Sequence, residues 1–273
     1  MSNDLWIPAM AIAAIVVAAA AGVFNPRRLP GPRRLAPGEP VAAVFRILAI
    51  ALAAWALTTV LIGSVHQLHL KRTHQPTTTE LSDTEIIIYN DVLDLVVLGA
   101  VVSATVVTRP RGIEQIGLSP RRLPAGILWG VFAILIVLPL LIYVNAGTEW
   151  LLERLGKQNT PHEMLEILKN HPPAWLRIAD VVAAGLIAPV AEECFFRGIL
   201  QTGLRYLFNR PWLAILFSSA AFALVHQWWT WPQIFFLGFC LGYLYERTGN
   251  LWASITLHAL FNLTSIFFFT HMG

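Results

Sequence analysis

Long apolar runs, broken by short polar or basic stretches, set the pattern of this chain. A helix needs roughly 20 apolar residues to cross a hydrocarbon layer about 30 Å thick. Runs of about that length fall at residues 5–24, 41–63, 85–107, 123–146, 176–204, 211–228, 232–247 and 250–270. The pattern predicts an all-α fold, a polytopic transmembrane helical bundle of about eight spans. The third run carries Asp91 and Asp94, read as polar pocket lining or an outer-end cap, and the seventh run is short. The opening run follows Met1-Ser2-Asn3-Asp4, which lacks the basic stretch of a secretory signal, and is expected to remain as the first span. Three regions follow: N-terminal transmembrane helices over 1–146, an extracytoplasmic segment over 147–175 and a membrane core over 176–273.

Composition agrees with the pattern. With 56% hydrophobic and 13% charged residues among 273, the chain is too apolar for an ordinary soluble domain. Its net charge of +3 comes from arginines in short loops rather than from a basic, aromatic-interleaved patch, so no nucleic-acid partner is expected. Arg27, Arg28, Arg33, Arg34, Arg109, Arg111, Arg121, Arg122, Arg205, Arg210 and Arg247 all fall in alternate loops. The positive-inside rule places those loops in the cytoplasm and both termini outside. Cys194 and Cys240 lie in apolar runs and form neither a disulfide framework nor a redox or zinc pair.

The two outer segments read differently. Residues 64–84, with His66, His69 and His74, are expected to be a solvated loop, because the histidine spacing fits no common metal-ligand pattern. In the second, Thr160-Pro161-His162-Glu163 is a capping box with proline at the first helical position. Met164, Leu165, Ile167 and Leu168 continue it as an amphipathic stripe, predicting a short helix on the membrane surface or against the spans. No internal repeat suggests the inverted symmetry of a transporter.

Against this background the polar residues of the last four spans stand out. Ala191-Glu192-Glu193-Cys194-Phe195-Phe196-Arg197-Gly198 puts two carboxylates and a guanidinium inside an apolar helix. Charges at that depth are costly and mark functional sites. Glu193 and Arg197, one turn apart, can pair, while Glu192 points about 100° away. The sixth span offers Phe222 and His226, and the eighth His258 and Asn262, each pair at i,i+4. Counted at 1.5 Å per residue from the cytoplasmic helix ends, Glu192 lies about 20 Å deep, His226 about 22 Å, His258 about 12 Å and Asn262 about 18 Å. These residues can share one layer of a polar pocket.

A carboxylate beside an imidazole can take a proton from water, and burial raises its basicity toward the useful range. An amide and a second imidazole can stabilise the oxyanion formed when water attacks a carbonyl. The set suits hydrolysis of a peptide bond within the membrane. Alternatively, Glu192, His226 and His258 could hold a divalent metal such as zinc that activates the water. A buried ion pair with two packing histidines is the structural alternative. His-Glu-x-x-His and Gly-x-Ser-x-Gly are both missing, and Asp91 and Asp94 lack the paired-helix arrangement of an aspartyl protease.

Glu-Glu-x-x-x-Arg, Phe-x-x-x-His and His-x-x-x-Asn, in that order on successive C-terminal helices, resemble the CPBP intramembrane proteases. That family includes type II CAAX prenyl endopeptidases and Abi-like bacteriocin-processing or self-immunity proteins. The resemblance covers about residues 175–270 and extends to Phe196-Arg197-Gly198. It implies Glu192 as the water-activating base working with His226, Glu193 and Arg197 as orienting groups, and His258 with Asn262 at the oxyanion. It favours a glutamate mechanism without a required cofactor over a metal one. The expected partners are the bilayer and a membrane-associated peptide or protein, cleaved at a CAAX-type C-terminus or a leader segment, in a bacterial cell membrane. Two rival readings remain: a non-catalytic scaffold or immunity protein that binds a membrane peptide, and a proton-coupled transporter using Glu192 and Glu193.

Overall fold

The structure is a computed structural model that describes residues 41–76, 81–108, 112–157 and 173–272. The first expected span, 5–24, and the expected short helix after Thr160 lie outside these residues. Seven helices form the described bundle: α1 Val41–Arg72, α2 Asp83–Thr108, α3 Leu123–Arg154, α4 Ala174–Phe208, α5 Pro211–Leu224, α6 Trp231–Thr248 and α7 Leu251–Met272. They correspond one for one to the seven later runs. Five of them, α1, α2, α3, α4 and α7, are long and apolar enough to cross a membrane, and α5 is a shorter apolar rod. The protein is an integral membrane helical bundle.

Local chemistry sets the helix ends. Ser82 and Glu85 open α2 with a reciprocal capping box: Ser82 N–H donates to Glu85 Oε2 at 2.9 Å, and Glu85 N–H to Ser82 Oγ at 3.3 Å. Prolines sit in the first turns of α3, α5 and α6, where a missing N–H costs nothing. Asn209 and Gly249 follow α4 and α6 in the left-handed region, at φ 50° and 58°.

Three sequence expectations need correction. α1 continues to Arg72, so His66 and His69 are helical and only His74 lies in the turn beyond. A helix need not stop where its apolar run meets water, and here His66 is buried, its Nδ1 3.5 Å from Glu85 Oε1. α3 likewise runs to Arg154, so the outer segment expected from 147 is helical at its start. α5 ends at Leu224, which leaves His226 in the turn after the helix rather than on it.

Outward faces are apolar: Leu57 and Leu135 are each 70% exposed and Leu128 71%, as a lipid-facing surface requires. One buried cluster joins Val44, Ile47, Val101, Ile116, Ile199 and Leu251, and a second joins Leu141, Phe196, Phe222, Leu237, Leu241 and Leu257. α4 contributes to both and packs on α1, α2, α5, α6 and α7. Because lipid tails are as apolar as a core, close backbone approach matters more here than burial. The α3–α7 seam shows it: a Cβ on Gly130 would stand 2.5 Å from Thr256 Cβ, and one on Gly126 would collide with Trp252. Gly130→Ala is therefore expected to cost about 1–3 kcal/mol by overpacking. Gly147→Ala, on the same helix with nothing within 4 Å of the added carbon, should instead stabilise by up to about 1 kcal/mol. Thermal unfolding in detergent should show midpoints moving in opposite directions.

Candidate active site

The site is built on a helix that changes its winding twice. Within α4, Ala183–Ile187 and Cys194–Gln201 are π-helical, and the α-helical turn between them, Ala188–Glu193, carries both glutamates. Wide turns of this kind free backbone carbonyls and recur at functional sites. Here a donor meets each freed group. The Ala188 N–H reaches back five residues to Ala183 O. In that register the next donor belongs to residue 189, a proline without an N–H, so Ala184 O needs another partner. Asn262 supplies it from α7, donating Nδ2–H to Ala184 O at 2.8 Å. In the second wide turn, Ser218 Oγ donates to Phe196 O at 2.9 Å and Thr202 Oγ to Arg197 O at 3.0 Å.

Glu193 and Arg197 form the pair that their spacing predicts. Arg197 Nη1 donates to Glu193 Oε1 at 2.7 Å, with both side chains fully buried. Nη2 donates to Gly238 O at 3.2 Å, and the guanidinium carbon lies 4.4 Å from the centre of the Phe222 ring. The same Glu193 oxygen receives His258 Nδ1 at 3.2 Å. Because a carboxylate only accepts, His258 carries its proton on Nδ1, which directs Nε2 toward Glu192. The distance from Nε2 to Glu192 Oε2 is 3.8 Å, too long for a direct hydrogen bond.

Glu192 differs from its neighbour. Its side chain is 26% exposed where that of Glu193 is fully buried, and its Oε2, like Glu193 Oε2, is buried with no hydrogen-bond partner. Orphaned buried acceptors are rare enough to need an explanation. Asp94 lies midway along α2, away from both ends of the helix, and within electrostatic reach of this carboxylate. His258 is the imidazole facing Glu192; His226 makes no ion pair with it. Instead His226 Nδ1–H donates to Phe222 O at 2.7 Å, leaving Nε2 as the nitrogen free to accept in the neutral ring. Phe222 joins the two histidines, its ring edge-on to His226 at 4.8 Å and to His258 at 5.6 Å. Glu192, Glu193, Arg197, His258 and Asn262 thus meet around α4, and His226 approaches through Phe222.

Glu192, His226 and His258, the candidate metal ligands, are not gathered as a set. No three His, Cys, Asp or Glu side chains among the described residues stand close enough to share an ion.

Sequence reasoning passed over a polar ladder below the pair. Glu193, Arg197, Gln201 and Arg205 recur every four residues on α4 and face Gly238, Gly242 and Glu246, also four apart, on α6. Gln201 Nε2 donates to Gly242 O at 3.0 Å and to Glu246 Oε1 at 3.3 Å; Arg205 Nε lies 3.6 Å from Glu246 Oε2. A Cβ on Gly242 would stand 2.6 Å from Gln201 Oε1, so the glycine admits the amide. The Gly238-x-x-x-Gly242 spacing and the shared period of four were the available signals. Asp180 was also missed: it is 1% exposed with both carboxylate oxygens unpartnered.

Comparison with known proteins bears on the same segment. A family model described as type II CAAX prenyl endopeptidase Rce1-like matches residues 173–264. A Bacillus subtilis (strain 168) protein titled "Uncharacterized protein YpbD" is 33% identical over 82 residues, covering 30% of this chain and 41% of that protein. "Putative membrane peptidase YdiL" of the same strain is 25% identical over 151 residues, covering 55% of this chain and 56% of the relative. The chain thus spans about half or less of the curated relatives it matches. No solved structure matches it.

Proposed function

We propose, on the premise that residues 173–264 belong to the CPBP family of intramembrane proteases, that this chain is an endopeptidase that hydrolyses a peptide bond at the membrane. One observation carries the reading. Glu192 holds a buried carboxylate oxygen without a hydrogen-bond partner, beside an imidazole whose orientation a second, arginine-clamped carboxylate fixes. Such asymmetry between neighbouring carboxylates suits one as base and the other as support.

In this mechanism Glu192 takes a proton from water as the oxygen attacks the carbonyl carbon, then returns it to the amine as the C–N bond breaks. His226, with its free Nε2, assists that transfer. Asn262 has a second N–H beyond the one given to Ala184 and offers it to the oxyanion, joined by His258 through an Nε2–H when the ring is an imidazolium. Glu193 and Arg197 hold His258 in place. The substrate is a membrane-associated peptide or protein, with a CAAX-type C-terminus or a leader segment as the favoured classes.

The residue set favours glutamate chemistry over zinc because, among the described residues, Glu192, His226 and His258 are not gathered as three ligands around one point. It favours an enzyme over a peptide-binding scaffold because a binding cavity has no need of a partly exposed carboxylate beside an imidazole that a second carboxylate orients. Purified protein in liposomes, incubated with a membrane-peptide extract, is expected to produce new peptide termini detectable by mass spectrometry. Retention of peptides without any new terminus would overturn the enzymatic reading and leave the scaffold.

A further inference from the structure

A second polar feature lies away from the glutamates, where the spans turn back at one end of the bundle. The segment between α2 and α3 winds through two 3₁₀ turns, Gly112–Ile116 and Pro120–Arg122, and is stitched to the α6–α7 turn. Leu251 N–H donates to Gly117 O at 3.3 Å, Arg122 Nη1 to Gly249 O at 2.8 Å, Asn250 Nδ2 to Arg122 O at 2.9 Å and Trp252 Nε1 to Ser119 O at 3.2 Å. Gly117 holds the two turns together: its φ is +90°, and a Cβ there would stand 2.9 Å from Leu251 N. These contacts frame a cavity of about 230 Å³ lined by Glu114, Gln115, Ser119, Arg121, Arg122 and Gly249.

The lining is fixed yet chemically unsatisfied. Gln115 Oε1 is buried and accepts no hydrogen bond. Ser119 stands at the start of its turn without capping it by its side chain. Arg121 is exposed, and Arg122 uses only Nη1 on Gly249. The cavity therefore offers a guanidinium pair and a hydroxyl for an anion, and an amide oxygen and a carboxylate for a donor. Immediately below it, α3 presents Leu123, Ile127 and Leu128 outward, at 36%, 44% and 71% exposure. An apolar wall running from a polar cavity at a span end matches a lipid, with phosphate above and acyl chains alongside.

We infer that this cavity binds the head group of a membrane phospholipid, its phosphate on Arg121, Arg122 and Ser119 and its terminal amine or hydroxyl donating to Gln115 Oε1 and Glu114. Phosphatidylethanolamine and phosphatidylglycerol satisfy both halves. Phosphatidylcholine, whose quaternary ammonium has no N–H, satisfies only the first. The inference does not depend on the peptidase reading.

Native mass spectrometry of the purified, full-length protein in detergent tests it, with each of the three lipids and with inorganic phosphate. Phosphatidylethanolamine and phosphatidylglycerol should remain bound, and phosphatidylcholine should bind at least about tenfold more weakly, the worth of one charge-assisted hydrogen bond. Arg121→Glu should lose the phospholipids by a similar factor. Gln115→Leu, which removes an unpartnered acceptor and should fold normally, should reduce the discrimination against phosphatidylcholine, leaving what Glu114 supplies. Equal retention of all three lipids by the native protein and both variants would overturn the inference. So would displacement of lipid by millimolar inorganic phosphate, which would mark a site for a soluble anion.

Discussion

Glu192→Gln is expected to lower peptide hydrolysis by about 10²–10⁴-fold, the range for loss of a positioned general base, without lowering the unfolding midpoint in detergent. The fold should tolerate the change because Glu192 Oε2 makes no hydrogen bond and its side chain is partly exposed. The amide keeps the size of the carboxylate but cannot take a proton from water. The purified variant, assayed against the peptides that the native protein cleaves, gives the rate, and circular dichroism during heating gives the midpoint. Native-like turnover by a folded Glu192→Gln protein would remove this residue from the role of base. A variant that is inactive because it is unfolded would instead place Glu192 in the structural framework.

Arg197→Ala should act on stability first. It strands Glu193 as a charge with no exposed surface, deletes the donor to Gly238 O and removes the cation from the face of Phe222. Breaking a buried pair from one side costs about 3–5 kcal/mol, largely because the remaining charge is uncompensated. Replacing both partners should be far milder, so Glu193→Leu with Arg197→Met is expected to recover most of the lost stability. Activity should stay absent in the double variant, because His258 Nδ1 loses the carboxylate that orients it. Detergent unfolding of the two proteins separates these effects. Equal instability of single and double variants would mean that the site depends on more than the charge balance of this pair.

Much of the architecture was readable because the bilayer imposes one length on every span. Each described helix from α1 to α7 was anticipated as an apolar run, and the Glu193–Arg197 contact followed from helical spacing. Errors fell where that constraint ends. His66 and His69 extend α1 beyond the apolar run, and His66 packs there against Glu85. Across helices, spacing said nothing: Glu192 faces His258, and His226 turns to its own backbone. The two wide turns of α4 have no sequence preference of their own, although Pro189 within an otherwise unbroken helix marked one of them. Gln201 and Glu246 were passed over because each looks unremarkable alone and acquires meaning only beside the glycines of the facing helix.

That ladder bears on how the protein is made. α4 emerges from the ribosome carrying Glu193, Arg197, Gln201 and Arg205, while Gly238, Gly242 and Glu246 are still to be synthesised. An arginine at the centre of a lipid layer costs about 3 kcal/mol even on the gentlest insertion scale, and for Arg197 the Glu193 carboxylate of the same helix is the one partner already in place. Until α6 arrives, the backbone carbonyls that receive Arg197 and Gln201 do not exist. The two helices are therefore natural co-travellers, and α4 is expected to settle fully into the lipid only once its partner has been translated.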